Sequence, residues 1–215
     1  MTARTKVAVL ISGRGSNMEA LVSAAQGDGC PFEISLVLAN KPDAGGLAIA
    51  AEAGIEALCV DQKAFGKDRE AHERAIDAAL RARGVQVIAL AGYMRILTPF
   101  LVDAWQGRML NIHPSLLPKF PGLDTHARAL AAGEAEAGCT VHLVTAGVDE
   151  GPILGQAAVP ILPGDDEHVL SQRVLEQEHR LYAATLADFV RTLDWPSLVD
   201  KAGQGQQGHN RRRAP

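Results

Sequence analysis

Apolar positions along the chain alternate between short unbroken runs and longer stretches of helical spacing, and that pattern predicts the elements in order. Val7–Ile11 is an aliphatic run ending in Ser12-Gly13-Arg14-Gly15-Ser16-Asn17, after which Met18, Leu21 and Val22 recur at helical spacing. This order reads as strand, glycine turn, helix. Glu33–Ala39 predicts a second strand, Gly45–Ala53 a small-residue helix with Gly54 just past its end, and Ile55–Val60 a third strand. Ala71, Ala75, Ile76, Ala79 and Leu80 form one stripe of a helix expected over Asp68–Arg83, with Gly84 as its stop signal. Val85–Ala91 is almost wholly apolar, as in a parallel strand buried on both faces.

The second half breaks this rhythm. Thr98-Pro99 supplies a cap and first position for a short segment, followed by a strand over Arg108–Ile112, a proline-rich loop over His113–Gly122 and a helix over Asp124–Ala132. Cys139–Thr145 and Pro152–Pro160 are β-type runs separated only by Ala146–Gly151, too little chain for a crossover helix, so they are expected to pair as a hairpin. Asp165 or Asp166 caps a helix running to Leu193, with Val169, Leu170, Val174, Leu175, Leu181 and Tyr182 facing inward. The expected fold class is α/β: three layers, a Rossmann-like and mainly parallel sheet, a carboxyl-terminal antiparallel hairpin and a long final helix. A single catalytic-size domain is expected over 1–195, with 196–215, rich in Gly and Gln and ending near Arg211-Arg212-Arg213, as a flexible tail.

Composition narrows the function. A chain of 215 residues, 47% hydrophobic and 21% charged, can bury one sizeable core. Its formal net charge of -4 provides no global cationic field for nucleic acid or an anionic membrane, so an anionic ligand must be held locally. Met1–Lys6 is polar without an apolar leader core behind it, and the apolar runs break well before the ~18 residues of a membrane span. A cytoplasmic protein is expected. Cys30, Cys59 and Cys139 lack the spacing of a disulfide frame or a zinc knuckle and read as reduced packing residues.

Three segments could carry chemistry. Gly13-Arg14-Gly15-Ser16-Asn17 feeds a helix amino terminus, where free N–H groups and the helix dipole favour an anion. It lacks the Gly-Lys-Ser/Thr ending of a Walker loop, and Met18 stands where a dinucleotide fingerprint needs its third glycine, so a single phosphate fits better. The local alternative is a capping box between Ser16 and Glu19. Asn111 and His113, two apart at a strand end, point together; an amide donor beside an imidazole can hold a developing oxyanion and move a proton. Asp149, between the hairpin strands, reads either as a turn residue or as a partner for chemistry. His113, His126 and His142 show no recurring zinc spacing, so no metal is expected. His72, His168 and His179 lie among charges and are expected to be solvated; Leu90, Met94 and Ile96 are expected in the core.

The runs Ile11–Asn17, Leu90–Leu97, Leu110–Pro118 and Val148–Ile153 resemble the phosphoribosylglycinamide formyltransferases, within the folate-dependent formyltransferase fold, and the resemblance extends from about Lys6 to Trp195. It implies formyl transfer from 10-formyltetrahydrofolate to the amine of 5-phosphoribosylglycinamide in purine biosynthesis, without a metal or a covalent intermediate. By resemblance Gly15, Ser16 and Asn17 hold the substrate phosphate. Met94, Arg95, Ile96 and Leu97 line the folate pocket together with Thr145, Ala146, Gly147, Val148 and Asp149, and Arg69 matches a folate-contacting position across a loop one residue longer. Asn111, His113 and Asp149 face the formyl group. Leu175, Glu176, Gln177 and Glu178 match a segment that contacts the ribonucleotide, and Arg14 stands where a small polar residue is common. The implied partners are small molecules, with neither nucleic acid nor membrane, and a homodimer remains open. A methionyl-tRNA formyltransferase shares the His-Pro-Ser-Leu-Leu-Pro run but carries an added basic domain. A formyltetrahydrofolate hydrolase uses the same Asn, His and Asp with water and carries an added regulatory domain. A nucleotide-capturing module without chemistry is the reading from outside enzymology.

Overall fold

The computed structural model describes residues 3–193; the expected tail over 196–215 and the end of the expected domain lie outside them. A sheet of seven strands runs in the order β3-β2-β1-β4-β5-β6-β7. The strands are β1 (Thr5–Ile11), β2 (Phe32–Ala39), β3 (Ala57–Cys59), β4 (Val87–Leu90), β5 (Met109–His113), β6 (Glu136–Leu143) and β7 (Ile153–Pro160). The first five are parallel, and β6 and β7 run antiparallel to their neighbours, so the expected mixed sheet is observed.

The helices are α1 (Ser16–Ala25), α2 (Gly46–Glu52), α3 (Arg69–Ala82), α4 (Pro99–Ala104), α5 (Thr125–Ala131) and α6 (Glu167–Thr192). Alternation along β1 sorts the two cores. Val7, Val9 and Ile11 pack with Met18 and Leu21 of α1 and with Leu170, Val174 and Tyr182 of α6. Ala8 and Leu10 face the other way, toward Ile76 and Leu80 of α3 and Leu101 and Trp105 around α4. Strand β2 departs from strict alternation. A register shift opposite Val7 and Ala8 leaves Ser35 unpaired. Ile34 therefore joins the α1 side and Leu36 the α3 side, although they are two residues apart.

Several expectations change at the local level. Strand β3 is shorter than Ile55–Val60, as an edge strand with one neighbour. Asp166, not Asp165, caps α6, accepting from Val169 N–H, while Asp165 accepts from Leu162 N–H and pairs with Arg173. Val169 is 44% exposed rather than inward, because the buried stripe of α6 is Leu170, Val174, Glu178, Tyr182, Leu186 and Val190. His72, expected in solvent, is fully buried: its Nε2 meets the Val60 carbonyl at 2.8 Å and its ring packs edge-on to Phe65.

Candidate active site

The phosphate-loop candidate begins where β1 ends. Gly15, at φ 82°, is the residue before α1, and no side chain caps the helix, so the Ser16–Glu19 capping box does not form. A β-carbon at Gly15 would be strained at that φ and would meet Met18 Cε at 3.1 Å. The amino-terminal N–H groups of α1 thus stay uncovered by a side chain, as an anion site requires. Asn17 turns instead to the long final helix: its Nδ2 donates to Glu178 Oε2 at 2.6 Å, joining segments 161 residues apart. Burial pushes the Glu178 carboxyl up from its ordinary range, opposed by this hydrogen bond. Leu175 and Gln177 are half-buried and Glu176 is exposed, so only Glu178 of the four expected residues is brought onto the loop.

The second cluster forms on the face of β5 and β6 opposite α6. Leu110 and Ile112 point into the α6 core, which sends Asn111 and His113 to the other face. Antiparallel pairing sets Asn111 opposite His142 and His113 opposite Thr140. The connection between β6 and β7 then brings Asp149, at φ 55°, over the same face. Asp149 Oδ2 lies 3.3 Å from His113 Nδ1 and accepts from Gly122 N–H at 2.9 Å, while its Oδ1 lies 3.5 Å from His142 Nε2. His113 Nε2 meets the Phe120 carbonyl at 3.0 Å. Both His113 nitrogens face acceptors, an arrangement that only the doubly protonated ring satisfies at once. Burial would raise the Asp149 carboxyl, but the hydrogen bond and charge that His142 brings when protonated, the Gly122 N–H and the charge of a protonated His113 outweigh it and hold it below the ordinary carboxylate value.

His142 was not among the expected site residues. Its Nδ1 lies 2.9 Å from the Leu143 carbonyl and its Nε2 3.2 Å from Asn111 Nδ2. A carbonyl only accepts, so Nδ1 carries the proton and Nε2 of the neutral ring accepts from Asn111; protonation turns Nε2 into a donor toward Asp149. The available signal was the period of β6, which puts Thr140 and His142 on one face, but the register opposite β5 is not written in either strand.

The segments matched to folate contact lie apart in sequence but share one exposed, apolar character. Met94 is 68%, Ile96 66% and Val148 54% exposed, which corrects the core expectation for Met94 and Ile96; Leu90 is buried. Leu97 is half-buried and Thr145 and Ala146 are exposed, with Gly147 between them and Val148. Arg69, exposed at the start of α3, donates from Nη1 to the Ile96 carbonyl at 3.5 Å, so the longer loop still delivers it to this segment. Arg95 turns away, its Nη1 donating to Gln62 Oε1. Arg14 is exposed. Among the described residues no group of three or more His, Cys, Asp or Glu side chains is placed to hold a metal ion, and no helix is long and apolar enough to cross a membrane. The arrangement can bind an anion at one end and, at the other, offer an amide donor and a carboxylate-held imidazole to a reacting carbonyl.

Comparison with known proteins bears on this geometry. The model of the formyl transferase family matches residues 5–186. The chain is 51% identical over 186 residues to a trifunctional purine biosynthetic protein adenosine-3 of Drosophila pseudoobscura pseudoobscura, covering 86% of this chain and only 14% of that protein. It is 44% identical over 183 residues to a phosphoribosylglycinamide formyltransferase of Escherichia coli, covering 85% of this chain and 86% of that one. A crystal structure of phosphoribosylglycinamide formyltransferase from Brucella melitensis superposes with a TM-score of 0.85 at 55% identity, over 89% of this chain and 98% of that chain.

Proposed function

The chain belongs to the formyl transferase family, and from that premise we propose that it transfers the formyl group of 10-formyltetrahydrofolate to the amine of 5-phosphoribosylglycinamide, in the cytoplasm, through a single catalytic domain over 1–195. The observation that carries this reading is the cluster in which Asp149 lies between His113 and His142, with Asn111 beside it. The uncapped start of α1 with Asn17 and Glu178 supports a phosphorylated acceptor, the carboxylate being suited to ribose hydroxyls. The exposed Met94, Ile96 and Val148 suit the flat, largely apolar body of a folate. Arg69 would complement its carboxylate end.

In the proposed reaction the neutral amine attacks the formyl carbon. A carbon–nitrogen bond forms as the carbonyl π pair moves onto oxygen, and the bond to the folate nitrogen then breaks. Asn111 Nδ2 keeps one hydrogen for His142 and offers the other to the developing oxyanion. His113 becomes the charged donor when Nε2 exchanges the Phe120 carbonyl for the substrate oxygen. Asp149 Oδ2 faces the other ring nitrogen, Nδ1, and fixes the ring's orientation, and the proton lost by the amine passes to the leaving folate nitrogen. Mixing the purified protein with 10-formyltetrahydrofolate and following deformylated folate tests the reading. Product is expected only with the ribonucleotide amine present; acceptor-independent product would replace the transferase by a hydrolase, and no product at all by a binding module.

A further inference from the structure

The carboxyl ends of four neighbouring parallel strands carry a ring of hydrogen bonds that the proposed chemistry does not use. Gln62 follows β3, Asn40 follows β2, Ser12 follows β1, and Met94-Arg95 follow β4, in the order in which these strands lie in the sheet. Arg95 Nη1 donates to Gln62 Oε1 at 2.8 Å. Asn40 Nδ2 donates to the same oxygen at 2.8 Å. Ser12 Oγ donates to Asn40 Oδ1 at 2.7 Å and accepts from Met94 N–H at 2.8 Å. Asn40 is fully buried and Ser12 nearly so, and Asn40 also accepts Gln62 N–H on its main-chain carbonyl at 3.1 Å.

The direction of this ring is forced. Arginine has donors and no acceptor, so the Gln62 atom that faces it must be the oxygen. The Asn40 atom facing that oxygen must then be nitrogen, which leaves Oδ1 for Ser12. The serine hydroxyl must donate to Oδ1, and its lone pairs are left for the Met94 N–H. Each choice follows from the guanidinium at the start of the chain. The far end of the same segment is fixed separately, because Thr98 donates through both N–H, at 2.8 Å, and Oγ1 to the fully buried Glu73 carboxylate.

We propose that Ser12, Asn40 and Gln62, with the Arg95 guanidinium, are positioning residues that hold the main chain of Met94–Leu97 against the end of β1, so that Met94 and Ile96 stand out toward the formyl donor. The assignment of that segment to the donor rests on the function proposed above; the pinning itself does not. Exposed apolar side chains would otherwise be drawn down onto the core, and an anchored main chain prevents that collapse.

Gln62 is half-buried and lies in a short 3-10 turn, so it can be changed without opening the core. Gln62→Glu keeps an acceptor for both Arg95 and Asn40, whereas Gln62→Leu removes it. Amide hydrogen exchange of Met94 in the substrate-free protein is expected to accelerate about tenfold in Gln62→Leu, the order of one hydrogen bond to a charged donor, and to stay at the wild-type rate in Gln62→Glu. Ser12→Ala, which removes the Met94 acceptor directly, should accelerate it at least as much. In turnover, Gln62→Leu should raise KM for 10-formyltetrahydrofolate about tenfold, leaving kcat and the ribonucleotide KM near wild type, and Gln62→Glu should behave as wild type. Equal exchange rates in the Leu and Glu variants, whether both slow or both fast, would overturn the relay. Faster exchange with an unchanged folate KM would overturn its role in donor binding. Wild-type protein that protects Met94 but shows no formyl transfer would count against the function and leave the pinning intact.

Discussion

The two halves of the sheet place their polar groups differently. Around β1, β2 and β4 helices cover both faces, the strand side chains are almost wholly apolar, and Ser12, Asn40 and the start of α1 lie just past the strand ends. Around β5 and β6 only one face is covered by α6, and Asn111, His113, Thr140 and His142 project from within the strands on the other. A doubly covered parallel sheet can afford polar chemistry only at its ends, since a polar side chain in mid-strand would meet hydrocarbon on either side. Antiparallel strands whose second face is covered by a hydrogen-bonding loop rather than a helix can carry it along their length: His113, Thr140 and His142 are buried there, and Thr140 Oγ1 accepts from Leu117 N–H and donates to the Ser115 carbonyl. Binding of the phosphate and reaction at the formyl carbon fall on opposite sides of that division in the proposed function.

The largest effects should come from the loop-covered face of β5 and β6. Asn111→Ala removes the amide donor and should lower kcat about 100- to 1000-fold with both KM values little changed; steady-state kinetics showing a loss confined to KM would move Asn111 from chemistry to binding. Next is Asp149→Asn, which keeps the shape but removes the charge shared by His113 and His142. The native Asp149 carboxyl is held below its ordinary value, so its contribution to stability is fully present above ~3.9 and is lost as pH falls through the lowered value. The stability gap between the native protein and Asp149→Asn, followed by denaturant unfolding, should therefore narrow on acidification; a gap that widens would mean that Asp149 is not an ionised partner.

At the half covered by helices on both faces the effects should be smaller and split by substrate. Glu178→Gln should raise the ribonucleotide KM about tenfold, the scale of a hydrogen bond involving a charged group, and leave the folate KM alone. Because burial raises the Glu178 carboxyl, the folded state prefers it protonated; that stability is present at low pH and lost as pH rises through the raised value. The variant should consequently melt above the native protein at neutral pH, with the difference shrinking toward acid. A lower Tm across the whole range would make Glu178 a structural anchor. The smallest contrast lies within α6: Val169→Ala should change stability by less than about 0.5 kcal/mol, whereas the adjacent and fully buried Leu170→Ala should cost about 2–5 kcal/mol. Equal losses in urea melts would contradict the observed face of the helix.

Much of this was legible in the residues. The run Val7–Ile11 before a glycine turn, the capping Asp ahead of the last helix and the short hairpin gap each report local backbone geometry, and each element appeared within a few residues of its expected place. The motif runs carried the family. Illegible were the features that depend on how one segment meets another. His72 sat among charges in sequence, yet the rotation of α3 turned it inward. Met94 and Ile96 had core-like side chains on a segment whose main chain is pinned. His142 acquired its partners only through the β5–β6 register, and Ser35 switched the faces of β2 by falling out of register.

The sequence by itself determined the order and type of the elements, the mixed sheet they build and the pairing of Asn111 with His113 on one strand face, because periodicity, caps and turn residues act within a few positions of the backbone; Asp149 joined that pair as a candidate through the resemblance of the motif runs. The tertiary structure alone decided that His142 joins them, that Glu178 reaches Asn17 across the molecule, and that Arg95 sets the direction of the bonds through Gln62, Asn40 and Ser12 to Met94. Those outcomes depend on strand register and helix rotation, which are set by the packing of apolar faces over the whole sheet, and a polar side chain finds its partner only after that packing has brought the two within about 3 Å.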